Sequence, residues 1–579
     1  MDTVTFKIND IDISAPKGAT ILQAIQSTDI SWAEIDIPTL FYLKGINETD
    51  CSGVCVAEAA GVDELVSAWS FPISEGLEVL TESEKAVAAR KAALERIMEI
   101  HDNDCLNCVR TANCELQELF HKYDVKDDKT VSKKKIKPDE SSIVVRDYNK
   151  CIRCGRCVEA CMNVQGVGAI SSTGEGLEAV IAPVSEAGLS DTGCVNCGQC
   201  IIVCPVAAVY EKVNIKDVSA ALADPSKTVI VQAAPAVRAA LGEAFEFPLG
   251  VDIEGRLAAA LRELGFDKVF DTKFGADLTV MEEAEELIGR MTGNGALPMI
   301  TSCCPGWIKF CEHNFPDLIK NLSSCKSPQQ MFGAVAKSYY AEKAGIHKEN
   351  IVVVSVMPCT AKKFELGRDN QNGAGVPDVD ISITTRELGR MLKQAEIQLE
   401  AMPSERFDEP LGTGTGAGVI FGASGGVMEA ALRTALEKQT GKQLEQLEFK
   451  KIPYVDGIKE ASYDINGKTI STAVVSGLAN AKELLEKVRS GGADYHFIEV
   501  MACPGGCVNG GGQPQQFAGI RAKNDISAVR AEALYRNDEK SKLRKSHENP
   551  AIAELYESCL GKPGSEKAHK LLHTSFVKR

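Results

Sequence analysis

Two cysteine runs restrict this chain more than any other feature. Cys151, Cys154, Cys157 and Cys161 are spaced C-x2-C-x2-C-x3-C, and Cys194, Cys197, Cys200 and Cys204 repeat that spacing, followed by Pro205. Three closely spaced thiolates on one loop can grip an iron–sulfur cube, while the fourth, on the helix that follows, reaches across to a second cube. We therefore expect Cys151, Cys154, Cys157 and Cys204 to hold one [4Fe-4S] cluster and Cys194, Cys197, Cys200 and Cys161 another. Structural zinc, the plainer alternative, asks for separated cysteine pairs in one tetrahedral site, not for doubled runs of four. The chain has 21 cysteines, and its opening, MDTVTFKIND, lacks the basic and then apolar character of an export leader. Thiols in such a chain serve metals and redox chemistry before disulfides, and we expect a cytoplasmic protein. No run of about 18 apolar residues is free of charge, so no membrane span is expected. With 64 Lys+Arg against 80 Asp+Glu, the net charge is −16, which excludes a generic nucleic-acid binder.

Both runs are those of bacterial two-cluster ferredoxins, and they place a 2x[4Fe-4S] ferredoxin domain at 140–212. Upstream, His101, Cys105, Cys108 and Cys114 follow the spacing H-x3-C-x2-C-x5-C. An amphipathic helix is expected from Thr81 to Ile100, with Thr81 and Glu84 as a capping box and Ala86, Ala89, Leu94, Ile97 and Met98 as a buried stripe. On spacing alone, one histidine and three cysteines suit zinc and an iron–sulfur cluster equally. The neighbourhood favours a third [4Fe-4S] cluster, because zinc carries no electron and this segment, 79–120, abuts two ferredoxin clusters.

Residues 1–78 open with an alternating hairpin, Val4, Phe6 and Ile8 then Ile11 and Ile13, turned at Asn9 and Asp10 and followed by a helix from about Thr20 to Ser27. This is the start of a plant-ferredoxin-like β-grasp, a fold that normally holds a [2Fe-2S] cluster on four cysteines. Aligning Pro38, Thr39, Leu40, Asn47 and Glu48 with the family's loop puts Phe41, Ser52, Cys55 and Trp69 at the ligand positions, with Cys51 one residue off. The expectation is an apo module with [2Fe-2S] absent, kept for packing or docking.

From about residue 210 the pattern becomes α/β, and three apolar runs end on cysteines: Cys303 and Cys304, then Cys359, then Cys503 and Cys507. The carboxyl edge of an open α/β sheet is where ligands bind, so these cysteines should converge on one site. Core packing is the bland alternative for a free cysteine, but each is bracketed by proline or glycine turns. The motifs TSCCPGW from Thr301, MPCTAKKFE from Met357 and MACPGGCVNGGGQP from Met501 resemble the three signatures of [FeFe]-hydrogenases. The likeness covers nearly the whole chain, including a small-subunit-like tail at 526–579 after an α/β H-domain at 220–525. The fold class implied is multidomain α+β: the β-grasp, the His/Cys helical segment, the ferredoxin domain and the H-domain.

That resemblance implies an H-cluster, a [4Fe-4S] cube bridged to a two-iron subcluster with CO, cyanide and a dithiolate. Cys304, Cys359, Cys503 and Cys507 stand at its ligand positions and Cys303 at that of the proton-donating thiol. Lys362 resembles the residue that bonds a cyanide, Glu365 braces it, and Glu283, Glu286 and Ser323 match the proton entry. Pro235, Met357, Phe421 and Met501 match the pocket walls. Two departures are Ala236, where some relatives carry serine, and Cys325, where alanine is expected. The implied activity is 2H+ + 2e− ⇌ H2, with electrons passing through accessory clusters to ferredoxin or ferredoxin-like iron–sulfur subunits. An apo β-grasp would favour a complex with a formate dehydrogenase, as in hydrogen-dependent CO2 reductase. Rivals are a stand-alone ferredoxin-dependent hydrogenase, an H2 sensor and an iron–sulfur scaffold; the retained relay and pocket residues speak against the last two. Cys51, Cys55, Cys311, Cys325 and Cys559 lack ligand spacing and are expected to be buried thiols, and His547 and His573 are expected to be core or surface polar residues. Asn549, Pro550 and Gly561 frame a helix that carries Cys559 and packs through Ile552, Leu555 and Tyr556.

Overall fold

At Asn9 and Asp10 the backbone takes positive φ, 48° and 66°, the two-residue turn whose twist matches paired strands. It joins β1 (Thr3–Ile8) to β2 (Ile11–Pro16) in the register expected of the alternating apolar residues. With β3 (Val56–Ala59), β4 (Val66–Ser67) and β5 (Glu78–Leu80), they form a sheet of order β2-β1-β5-β3-β4. The helix Ile21–Gln26 seals it through Leu22 and Ile25 and begins in a capping box at Thr20. This computed structural model describes residues 2–28, 35, 37–126, 135–293, 295–441, 457–465 and 468–579.

The next helix, Glu84–Ile100, is capped by Ser83, whose hydroxyl accepts from the Ala86 N–H at 3.2 Å. Thr81 is not the cap, because Asn9 of the hairpin turn holds it in the bend before the helix through bonds of 2.7 and 2.9 Å. Arg90 and Ala93, not Ala89, complete the buried stripe. Arg90 tolerates burial by donating to the Val56 carbonyl at 2.6 Å and to Tyr123 at 3.1 Å.

In the ferredoxin segment, β6 (Val144–Arg146) and the strand pair β7 (Ile170–Thr173) and β8 (Val180–Pro183) frame the cysteine loops, with β9 (Val209–Glu211) returning antiparallel to β6. The helices Arg156–Glu159 and Gln199–Val203 each start after a left-handed glycine, Gly155 at φ 77° and Gly198 at φ 72°. A side chain would strain that corner, so glycine turns each cysteine loop into its helix.

The remaining strands are β10 (Thr228–Ala233), β11 (Lys268–Asp271), β12 (Met299–Ile300), β13 (Ile351–Met357), β14 (Ile381–Thr384), β15 (Ile458–Ile465), β16 (Lys468–Ser476) and β17 (Phe497–Met501). They make two sheets where the sequence suggested one edge: parallel β11-β10-β13-β14, and β12-β17-β16-β15 with only β15 antiparallel. β13 is apolar and buried nearly throughout, as strands covered on both faces are. The long helix Lys273–Thr292 packs against Gly426–Thr440. The C-terminal helices Ile526–Lys540, Pro550–Leu555 and Glu566–Leu572 clasp this body. Among the described residues no helix is long and apolar enough to cross a membrane.

Candidate active site

The carboxyl ends of three strands from the two sheets open on one cavity. Cys303 and Cys304 follow β12 and lead into the helix Pro305–Asn314, Cys359 follows β13, and Cys503 and Cys507 follow β17. All five line the cavity, as do Pro235, Ala236, Met357, Phe421, Met501 and Lys362. Gly506, at φ 98°, lets the loop between Cys503 and Cys507 pass so close that a Cβ there would lie 2.6 Å from the Ser424 nitrogen. Burial pushes the Cys359 thiol up to about 12 and those of Cys303 and Cys503 well above the usual range. Such thiols keep their protons until a metal's charge displaces them. Converging sulfurs, one cation and no carboxylate among the lining residues fit an anionic iron–sulfur group.

Lys362 donates to the Cys303 carbonyl and to Glu365, both at 3.0 Å. Burial lowers its proton affinity, but the charge of Glu365 more than offsets this, and it stays an ammonium. Glu365 is fixed by Ser327 at 2.8 Å and by the Gln329 amide at 2.9 Å. Gln329 also lines the cavity. Sequence reasoning missed it, because a lone glutamine after Pro328 has no spacing partner to mark it.

A line of polar groups leads out. Glu283, on Lys273–Thr292, is fully buried beside Cys303 and Ser323, and its carboxyl makes no hydrogen bond of good geometry among the described residues. Burial first, and the charge of Glu286 second, raise it to about 8. Glu286 accepts from the Ser323 hydroxyl at 3.0 Å and pairs with Arg290 at 2.6 Å, and its side chain is 15% exposed. Arg290 was also missed, although its i,i+4 spacing from Glu286 was visible.

On the other side, Cys161, Cys194, Cys197 and Cys200 line one smaller cavity, and Cys197 lies within electrostatic reach of Cys503. Cys151, Cys154, Cys157 and Cys204 are mutual neighbours. The fully buried Arg146, unmarked by any motif, donates to the Cys151 sulfur at 3.0 Å and to the Ile181 carbonyl at 3.0 Å. His101 is buried with Nδ1 2.9 Å from the Lys150 carbonyl, an acceptor that leaves Nε2 as the lone-pair nitrogen. Cys105, Cys108 and Cys114 sit near one another; Cys114 reaches the Pro205 carbonyl at 3.7 Å and Arg110 the Cys204 carbonyl at 2.9 Å. Thiolates around one zinc ion would lie about 3.8 Å apart, given bonds of about 2.3 Å. Among the described residues, the metal-ready groups with ligand atoms within 4.8 Å of one another include neither these four residues nor the ferredoxin cysteines.

Known families match along the chain. "Iron only hydrogenase large subunit, C-terminal domain" covers residues 227–511 and "Iron hydrogenase small subunit" 524–579. A 4Fe-4S dicluster domain covers 150–208, the NADH-ubiquinone oxidoreductase-G iron-sulfur binding region 90–129, and a 2Fe-2S iron-sulfur cluster binding domain 1–84. The NADP-reducing hydrogenase subunit HndD of Solidesulfovibrio fructosivorans is 47% identical over 100% of both chains. Iron hydrogenase 1 of Clostridium pasteurianum is 42% identical over 99% of this chain and 100% of its own. The solved apo [FeFe]-hydrogenase HydA1 of Chlamydomonas reinhardtii superposes with a TM-score of 0.57 at 45% identity, over 63% of this chain and 99% of its own.

The match over 1–84 overturns the expectation that [2Fe-2S] is absent, since the module belongs with 2Fe-2S cluster-binding domains. That expectation rested on one loop register. In the structure Phe41 packs with Leu94 and Ile97, Ser52 bonds to Asp50, Cys55 is buried and Cys51 exposed. Four loop positions are a narrower test than the sheet, helix and core that present the loop, and it is this larger unit that carries the family's pattern.

Proposed function

The chain belongs to the [FeFe]-hydrogenase family and is an iron hydrogenase, and from that premise we propose which of its residues run the reaction and where its electrons go. Cys304, Cys359, Cys503 and Cys507 hold the H-cluster, which when bound supplies the making and breaking of H2. Cys303 holds a proton at its sulfur beside that group and exchanges it with the Glu283 carboxyl; the Ser323 hydroxyl carries it to Glu286 at the surface. Lys362 presents its ammonium to an anionic ligand, and Glu365 positions it. Pro235, Met357, Phe421 and Met501 exclude water. The carrying observation is the meeting of these cysteines and Lys362 in one cavity from which Glu283, Ser323 and Glu286 lead outward.

His101, Cys105, Cys108 and Cys114, and the two crossed sets of four cysteines, hold three [4Fe-4S] clusters between that cavity and the surface. We retain the division into a β-grasp at 1–78, a His/Cys segment at 79–120, a ferredoxin domain at 140–212, an H-domain at 220–525 and a small-subunit-like segment at 526–579. Full-length similarity to a subunit named for NADP reduction supports iron–sulfur partner subunits linked to NADP. The formate dehydrogenase reading leaned on an apo β-grasp and loses that support.

The test is anaerobic H2 evolution from reduced viologen, on protein matured with the two-iron group, comparing wild type with Cys303→Ala. The expected result is active wild type and a loss of at least about 100-fold in the variant, with the infrared bands of CO and cyanide present in both. Full activity in Cys303→Ala overturns the relay. A loaded but inactive wild type turns the reading to an H2 sensor.

A further inference from the structure

Three side chains able to ligate a metal meet at the outer end of the relay: one ligand atom each from Glu286, Cys325 and His573 lies within 4.8 Å of the other two. Cys325 is fully buried, its sulfur 3.8 Å from Glu286 Oε2, and its backbone bridges to that of His573. Glu286 divides its work, with Oε1 taking Arg290 at 2.6 Å while Oε2 faces Cys325 and the hydroxyls of Ser323 and Ser324.

The histidine is set for a metal. Its Nε2 lies 3.0 Å from Glu282 Oε2, and Glu282 is itself buried and held by the Tyr556 hydroxyl and by the Gly564 N–H at 2.9 Å. A carboxylate acceptor makes Nε2 the N–H nitrogen and leaves Nδ1 with the lone pair. Nδ1 is 2.8 Å from the Ser324 hydroxyl, whose oxygen also lies 3.3 Å from Glu286 Oε2, so Ser324 stands between the lone pair and the carboxylate, and a metal bound there would take its place at Nδ1. Metal-binding histidines characteristically donate their second nitrogen to a carboxylate or carbonyl in this way. Sulfur, imidazole and carboxylate together select a borderline cation such as zinc over magnesium or calcium, and three protein ligands leave a fourth position for water.

We propose that Glu286 Oε2, Cys325 Sγ and His573 Nδ1 form a binding site for a divalent cation of the zinc class, and that its occupation takes Glu286 out of the proton relay. Binding releases one proton, from the Cys325 thiol to solvent; carboxylate and neutral imidazole join without proton loss, and no electron moves. The effect on turnover rests on the relay proposed above, whereas the site stands on its own geometry.

Zinc chloride added to the fully loaded enzyme tests both halves. Zinc-edge X-ray absorption should show one bound zinc with one sulfur and otherwise nitrogen and oxygen ligands. Cys325→Ala and His573→Gln should each weaken binding at least tenfold and raise the half-inhibiting zinc concentration equally, each judged against its own zinc-free rate. Glu282→Gln, though not a ligand, should weaken binding about tenfold. Zinc bound without sulfur, or a sulfur signal persisting in Cys325→Ala, overturns the site. Zinc bound through Cys325 with turnover unchanged overturns the blockade and faults the role given to Glu286. An inactive zinc-free wild type faults the relay alone, because X-ray absorption reads the site without activity.

Discussion

At the scale of single residues, two buried ionisable groups define what this protein can do with protons and electrons. Glu283 sits at about 8 against an ordinary 4.5, so its carboxyl is protonated at neutral pH and can give as well as take a proton. The folded state keeps a proton there that the unfolded chain has released. The resulting stability is complete below about 4.5 and is lost as pH rises through about 8. Infrared titration should show a protonated carboxyl band that fades through that pH and is missing in Glu283→Gln, whose melting temperature should fall less than that of wild type from about pH 6 to 9. Arg146 is buried with two sulfurs and a carbonyl for company, and an uncompensated guanidinium is costly in such a place. The negative charge of the cluster proposed on Cys151, Cys154, Cys157 and Cys204 would be its natural counter-charge. Replacing it in Arg146→Leu should make that cluster harder to reduce by at least tenfold in the reduced-to-oxidised ratio, about 59 mV, in a potentiometric titration read by electron paramagnetic resonance.

Elements meet where backbones touch. A Cβ on Gly511 would lie 2.2 Å from the Cys197 carbonyl oxygen and 2.6 Å from Gly198 Cα, so the loop after Cys507 and the second ferredoxin loop touch main chain to main chain. Thr360 and Gln199 tie the same junction through the Asn196 carbonyl at 2.6 Å and the Asn509 carbonyl at 2.9 Å. Gly511→Ala should force the loops apart, cost about 1–3 kcal/mol in thermal unfolding, and slow reduction of the catalytic site in stopped-flow measurements while the infrared bands of the pocket persist. The helix that begins at Glu84 shows how far such junctions are readable in advance. Its cap was misplaced by two residues because both Thr81 and Ser83 are sound capping residues, and only the bond to Asn9, 72 positions away, keeps Thr81 out of the helix.

Across the whole molecule, the C-terminal segment acts as a clasp. Asp538 meets Arg433 at 2.9 Å with both side chains fully buried, and Arg530 and Glu243 form a second buried pair. Asp277, on the helix that also carries Glu283, takes bonds from Ser546 at 2.8 Å and Asn549 at 2.9 Å. Asp538→Ala would take from Arg433 one of the carboxylates that pair with it in a dry interior, and should destabilise the catalytic body by about 3 kcal/mol in denaturant unfolding. The same clasp brings His573 and Glu282 together. Neither His573 nor Cys325 carries a spacing signal, and from sequence both read as packing residues.

What the sequence determined by itself was the hydrogenase family and the presence of 4Fe-4S modules, but not the 2Fe-2S-binding character of the N-terminal module. Cysteines three to six positions apart can reach one cluster whatever the rest of the chain does, so the ferredoxin runs and the His101 segment are legible as local patterns, and the motifs around Cys303, Cys359 and Cys503 are each legible singly. Tertiary structure alone decided what surrounds them. Two sheets, not one, bring β12, β13 and β17 to a common cavity. The proton affinity of Glu283, the brace from Gln329 and the burial of Arg146 all depend on segments distant in the chain. Burial and pairing belong to the packed molecule, and no short stretch of sequence contains them.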